Sequence, residues 1–288
     1  MDSHVWRTVY QMIKVVDRSI PRSGRKPTYT DALIVSMYLW SVGHDRPLCW
    51  ACRGEHYTSC FRPRKLPSVS QFCRRIQTSR CHRILQEVYN RLAETGLATG
   101  VSYLDARPFT VGACSKDRDA RPGRIYGGFA KGYKLHALIA EDGRVSTWTV
   151  TSLNTSETRV AEELIASVRG HLPLGIVLAD GNYDSGRLYD CVDACGGQLL
   201  TPLPKNAGYG HRPQSPSRLK AVRAWEGVAG YVYRDRIAVE RYFAQQSAFG
   251  GGLAPLPPWV RTLPRVRRWI GAKLIIYHVR RTLRKAVS

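Results

Sequence analysis

The sequence is poor in acid: 22 Asp and Glu stand against 44 Lys and Arg, a formal net charge of +22. A compact chain this basic repels itself unless a polyanion is its usual partner, and nucleic acid is the leading candidate. Long apolar runs are missing as well. The longest in the first part, Ala32 to Val42, falls well short of the roughly 20 residues that span a bilayer, so no membrane insertion is expected. The opening MDSHVWRTVYQ lacks the basic segment, apolar run and small-residue cleavage site of a secretory signal. The eight cysteines are therefore expected as thiols in a reducing cytoplasm rather than as a disulfide framework. No internal repeat, nucleotide-phosphate loop, catalytic serine triad or haem motif is present. A chain of 288 residues can bury a real core without such staples.

What is there reads first as helices. Val5, Val9, Met12, Ile13 and Val16 recur at helical spacing until Pro21, and a basic Gly- and Pro-containing linker follows through Pro27. Thr30 is placed to cap a second helix through Leu33, Ile34, Met37 and Tyr38. Ser68 or Ser70 caps a third over Gln71 to Thr78, and a fourth runs from about Ser79 to Thr95. Residues 1–97 are thus expected as a helical domain, and residues 98–288 as a second one.

The period changes at Gly100. Val101 to Thr110, Gly132 to Ala140 and Arg144 to Thr151 read as three antiparallel strands, the last two joined by the turn Glu141-Asp142-Gly143. A helix over Ser156 to Val168, an apolar run Gly175 to Ala179, a short helix near Arg187 to Ala194 and a strand Gln198 to Pro202 complete a β-β-β-α-β-α-β order. A polar loop, Lys205 to Arg218, leads to a helix around Asp235 to Ala248. Gly250 to Pro258 separates that helix from a basic amphipathic one, Arg261 to Lys285, whose Trp269, Leu274, Ile275 and Tyr277 read as core.

Three acidic residues carry the chemistry. Asp105 lies mid-strand on a face shared with Val101, Tyr103 and Arg107, where a carboxylate must be paired, hydrated or bound to a cation. Asp180 ends the apolar run before Gly181, at the strand edge where open α/β sheets bind ligands. Taken alone, each reads more readily as an Asp paired with a nearby Arg, or as a turn former. On the later helix, Tyr233, Arg236, Glu240 and Ser247 fall on one stripe flanked by Ile237, Val239, Phe243 and Ala244, which predicts that Glu240 faces the protein body. Two Asp and one Glu at a sheet edge suit Mg²⁺ or Mn²⁺. Two such ions would serve an in-line phosphodiester displacement.

These residues sit in blocks that resemble a known family. LDARPFTV, KGYKLHALIAEDGRVSTWTVTSLNTSE, LADGNYDS, LLTPLPKN and YRDRIAVERYFAQQSAFGG are similar, in order and character, to the catalytic domain of DDE insertion-sequence transposases. GRKPTYTDALIV and LPSVSQFCRRI resemble the helical region that precedes it. The resemblance implies a ribonuclease-H-like mixed sheet with flanking helices, and metal carboxylates at Asp105, Asp180 and Glu240. The family's Tyr, Arg, Glu and Lys signature is met by Tyr233, Arg236 and Glu240, with Ser247 at the lysine's place. Asn182 stands where a basic residue is common. The interval between Asp180 and Glu240 is too short for the large β-rich insertion of some relatives. The implied activity is Mg²⁺-dependent cleavage at transposon ends and strand transfer into target DNA, by a homo-oligomer on double-stranded DNA.

Further DNA contacts are expected from Tyr233 and Arg236. Lys131, Lys134 and His136 stand either against phosphate or on a solvated strand face. Arg74, Arg75, Arg80 and Arg83 lie near a possible helix-turn-helix between Ser68 and Thr95, for base or phosphate contact or as a solvated basic face. Arg265, Arg267, Arg268, Arg280, Arg281, Arg284 and Lys285 on the last helix are placed to track backbone. Cys49, Cys52, His56 and Cys60 have a spacing that zinc uses, but without a second Cys-x-x-Cys they are read as buried free thiols on a helix stripe. Two other functions stay open: a nuclease of the same fold that cuts without joining, and a catalytically silent DNA-binding repressor or domesticated relative.

Overall fold

In this computed structural model the described residues are 2–22, 24, 27–94, 100–168, 174–202, 215–225, 227–253 and 255–285. The expected loop from Lys205 lies outside them through residue 214, as do residues 23, 25 and 26 of the linker and the expected helix end at Thr95. The chain divides into two compact units, one of Met1–Thr95, Gln245–Val260 and Arg267–Ser288, the other of Gly96–Ala244 and Arg261–Val266.

The first unit is helical. Helix α1 (Ser3–Ser19) starts where the Asp2 carboxylate accepts the backbone N–H groups of His4 and Val5, and it buries Val5, Trp6, Val9, Ile13 and Val16. Helix α2 (Asp31–Gly43) starts where the Thr30 hydroxyl oxygen accepts the Leu33 N–H, and it is buried continuously from Ile34 to Gly43. Such an all-round apolar helix belongs at the centre of a bundle. Helix α3 (Val69–Arg75) carries a reciprocal Ser68–Gln71 capping box, and α4 (Ser79–Glu94) buries Ile84, Leu85, Val88, Tyr89 and Leu92. The last helix, numbered α10 below (Leu263–Lys285), contributes most of its length to this unit. Its Trp269, Leu274, Ile275 and Tyr277 are buried as expected, and its His278 ring lies 5.4 Å from that of Tyr89. Lys273 is also buried and pairs with Asp45. A contiguous division at residue 98 therefore does not describe the units, because the buried face of α10 finds its partners among the first helices.

The second unit is built on a mixed sheet. Its strands are β1 (Val101–Thr110), β2 (Arg121–Ile125), β3 (Gly128–Ala140), β4 (Val145–Ser152), β5 (Gly175–Ala179) and β6 (Gly197–Leu200). The order is β2-β3-β1-β5-β6, with β4 also on β3. β1 pairs antiparallel with β3, from Ser102 opposite Ala140 to Thr110 opposite Gly132, and parallel with β5, from Val101 opposite Ile176 to Leu104 opposite Ala179. Helix α5 (Glu157–Ser167) packs on β3 and β4, and α6 (Gly186–Asp193) on β6. Helices α7 (Pro216–Trp225) and α8 (Ala229–Val232) precede a 3₁₀ turn, Tyr233–Arg236, and then α9 (Ile237–Ser247). β2, α7 and α8 were not expected from the sequence.

Helix α9 lies across the face of β1 that carries Asp105. The rings of Tyr103 and Tyr242 are 5.8 Å apart, and the Arg107 guanidinium donates to the Phe243 carbonyl at 3.0 Å. The Tyr242 hydroxyl donates to the Glu141 carbonyl. α9 is thus fixed beside Asp105 by residues on both sides of it along β1.

Candidate active site

Parallel pairing of β1 with β5 stops at Leu104 and Ala179, and the next residue on each strand is an aspartate. Asp105 and Asp180 therefore stand side by side at the same edge of neighbouring strands, about 5 Å apart along the sheet. One Asp105 oxygen accepts the Ala106 N–H at 2.8 Å. Asp180 accepts the Asn182 N–H at 2.9 Å and so caps the 3₁₀ turn Gly181–Tyr183. Tyr183 is wholly buried beside them, and its hydroxyl has no partner among the described residues.

Arg236 joins the pair. Its Nη2 stands 3.6 Å from Asp105 Oδ2 and 3.9 Å from Asp180 Oδ2, a single cation shared by two carboxylates. The hydroxyl of Tyr233 donates to the Ala179 carbonyl at 3.0 Å, which ties the 3₁₀ turn to the end of β5. Burial pushes the Asp105 carboxyl up to about 6; the Ala106 N–H and Arg236 oppose that rise and the Asp180 charge adds to it. A partly buried carboxylate pair whose shared arginine stands beyond hydrogen-bond distance is a donor set that suits a hard divalent ion.

Glu240 stands on α9, one helical turn after Arg236. It is exposed, while Val239 is wholly buried and Ala238, Tyr242 and Phe243 are nearly so. The buried stripe of α9 is therefore Val239 and Tyr242 with Phe243, and Glu240 lies about 100° round the helix from Val239 but only about 40° from Arg236. Ile237, expected to flank the inward stripe, is 74% exposed. Among the described residues no three His, Cys, Asp or Glu side chains are grouped so as to hold a metal ion.

Several expected DNA contacts have other partners. Lys134 is buried and pairs with Glu157. His136 is 1% exposed, bonds Thr151 Oγ1 at 2.9 Å, and is pushed down to about 4 by burial and then by Lys134, so it is a neutral interior ring. Neither is a solvated strand residue or a free phosphate ligand. Lys131 donates to the Ser115 carbonyl at 2.6 Å. Arg75 and Arg80 both bind the buried Asp31, at 2.5 and 3.1 Å, whereas Arg74 and Arg83 are exposed. The cysteine cluster is not a buried helix stripe: Cys49 is exposed, Cys52 and His56 lie half-buried in two short 3₁₀ turns, and Cys60 lies half-buried in the turn after them.

Two participants were not singled out by the sequence reading. Arg107 holds α9, and Glu157 pairs with Lys134 while its charge reaches Asp105 and Tyr183. The position of Glu157 in the first turn after Ser156 was the available signal, since helix N-termini favour acid.

Residues 101–277, more than half of the chain, match the family described as Transposase DDE domain. No curated protein matches the chain. The matched span contains Asp105, Asp180 and Glu240, and it begins with β1 of the mixed, helix-flanked sheet. Members of that family bind and cleave DNA and work with divalent metal ions. No described helix is long and apolar enough to cross a membrane. The chain belongs to the DDE transposases, and its second unit has their ribonuclease-H-like fold.

Proposed function

We propose that this transposase cleaves DNA at transposon ends and joins the freed 3′-hydroxyl to target DNA, with Asp105, Asp180 and Glu240 as the metal-holding carboxylates. The observation that carries the proposal is the register of β1 and β5, which sets Asp105 and Asp180 at one strand edge with a shared guanidinium. Mg²⁺ or Mn²⁺, two ions during catalysis, would supply the charge that activates an attacking oxygen and stabilises the leaving one.

The chain's own residues do the rest. Asp105 is anchored mid-strand, and Asp180 is held by its bond from Asn182. Tyr233 holds the 3₁₀ turn against β5, so that Arg236 stays over the acidic pair until a cation or a phosphate competes for it. Glu240 follows Arg236 by one helical turn, on the exposed rim of α9, and would complete the metal-holding set from there. Assembly of two DNA ends by a homo-oligomer belongs to the same reading.

The test is metal-dependent nicking of end-containing duplex by wild type and by Asp180→Asn. Wild type is expected to nick with Mg²⁺ and to join precleaved ends. Asp180→Asn is expected to lose at least a thousandfold in rate while binding the same DNA. Cutting without joined product supports a nuclease of this fold. The exposure of Glu240 favours a second reading, a DNA-binding relative that does not cut. Nicking by wild type rejects it.

A further inference from the structure

The β2–β3 hairpin is unexplained by the fold. β1 ends at Thr110, opposite Gly132, so the part of β3 before Gly132 pairs with β2 beyond the end of β1. The two strands meet at Tyr126, Gly127, Gly128 and Phe129. Gly127 and Gly128 have φ of 83° and 150°, a backbone that residues with a Cβ rarely adopt, so the turn needs glycine there. The two aromatic residues beside them are outside any core: Tyr126 is 104% and Phe129 81% exposed.

The charge around this tip has one sign. Lys116, Arg118, Arg121 and Arg124 are exposed. The two acids nearby are turned to internal tasks. Asp117 is buried and accepts the Tyr133 hydroxyl at 2.6 Å and the Thr262 N–H at 3.0 Å, while Asp119 accepts the Leu263 N–H at 2.8 Å. The hairpin is also firmly rooted. A Cβ on Gly123 would come within 2.7 Å of the Leu153 backbone, and one on Gly132 would overlap the Phe109 carbonyl. Lone two-stranded hairpins are marginal in water, and this close packing at the base supplies what the tip lacks.

From these observations we infer that the β2–β3 hairpin is a DNA-binding finger, in which Tyr126 and Phe129 stack on or wedge between bases while Arg121 and Arg124 neutralise the flanking phosphates. Aromatic faces accept any base, and apolar wedges enter unstacked steps. A two-stranded ribbon also fits a major groove. The inference rests on the reading of DNA as substrate and adds a second contact to it. Asp105 lies opposite Ala137, and the tip residue Gly128 is nine positions away along β3. That is roughly 30 Å of strand, or about nine base pairs from the cutting site.

The experiment uses the full chain with two 30-base-pair duplexes of arbitrary sequence, one intact and one with a single unpaired central base, each titrated over a range of salt. Wild type is expected to prefer the bulged duplex about tenfold. The double variant Tyr126→Ala, Phe129→Ala is expected to lose that preference, keep the salt slope, and melt at the wild-type temperature. Tyr126→Phe with Phe129→Tyr, which keeps both rings, retains the preference. Arg121→Gln with Arg124→Gln lowers the slope by about 2. Failure of wild type to bind either duplex overturns the DNA reading itself. Binding by wild type with an alanine variant indistinguishable from it overturns the finger alone. An alanine variant that binds normally but sediments differently without DNA marks the tip as a contact between copies, and overturns the finger as well.

Discussion

Asp31→Asn removes the negative centre of the most connected ion cluster in the helical unit. The Asp31 side chain is 7% exposed and meets Arg22 at 2.5 Å, Arg75 at 2.5 Å and Arg80 at 3.1 Å, each of them less than a quarter exposed or nearly so. Arg80 also donates to the Asp17 carboxylate at 2.7 Å and to the carbonyls of Ile20 and Pro21 at 2.9 and 2.6 Å, which fixes it in place. Burial alone would raise the Asp31 carboxyl, yet the hydrogen bonds and charges of Arg75 and Arg22 leave it below its ordinary value of 3.8. Replacing a buried partner while three guanidinium groups remain costs about 3 kcal/mol, toward the lower end of the range for broken buried pairs, because asparagine keeps one acceptor and the arginines are partly solvated. Urea unfolding followed by helical circular dichroism measures it. Because the folded carboxyl is the stronger acid, this stability is present above pH 3.8 and is lost as pH falls through the lower folded value. The gap between wild type and variant is therefore full at pH 7 and closes in strong acid. A loss below about 0.5 kcal/mol at pH 7, the scale of a surface pair, would falsify the account.

The same cluster separates two neighbouring arginines. Arg75→Gln is expected to destabilise the chain by about 2 kcal/mol with the salt slope of DNA binding intact, whereas the exposed Arg74→Gln lowers that slope by about 1 and leaves the melting temperature alone; the reverse pattern would sink the assignment. His136, held neutral at about 4 by burial and Lys134, is protonated more readily unfolded than folded. Wild type should therefore lose about 3 kcal/mol relative to His136→Gln as pH falls from about 6.5 to 4, and parallel pH–stability curves for the two proteins would contradict this. Arg236→Gln removes the counter-charge of the acidic pair, so Mn²⁺ binding followed by paramagnetic resonance should tighten about fivefold, on the order of 1 kcal/mol for these part-exposed groups. Unchanged or weaker binding would show that Arg236 does not compete with the ion.

The two aspartates were legible because strand signals there are local. Gly175 to Ala179 is an unbroken apolar run ended by Asp-Gly, and β1 has the bounds its alternation predicts. The orientation of Glu240 was not legible, and the reason is geometric. Counting Tyr233, Arg236 and Glu240 onto one stripe assumes 100° per residue, but Tyr233–Arg236 is a 3₁₀ turn, with about 120° per residue. Those extra degrees turn Arg236 onto the side of Tyr233 and leave Glu240 about 40° round the helix from both, at the exposed rim rather than on the stripe itself. β2 was missed for a different reason. Arg-Pro-Gly-Arg-Ile shows no alternation and contains two residues that strands disfavour, so its extended form comes from pairing with β3 rather than from propensity. The family match over residues 101–277 needs neither the side chain of Glu240 placed nor β2 recognised.

A net charge of +22 favours a polyanionic partner, yet it is a poor guide to which residues would meet it. Many of the basic side chains have internal partners. Arg218 makes two bonds of 2.8 Å to Asp184, Lys134 and Lys273 are buried in pairs, Arg107 holds a helix carbonyl, and Arg75 with Arg80 serves Asp31. Acid is scarce, and near the β2–β3 hairpin Asp117 and Asp119 are taken up by internal hydrogen bonds, so the exposed charges there are basic. The excess charge is thus sorted by folding: arginines close to an aspartate become structure, and those such as Arg74, Arg83, Arg121 and Arg124 stay exposed. Sequence counting treats the two groups alike, because the distinction depends on which carboxylates the tertiary fold brings within about 3 Å.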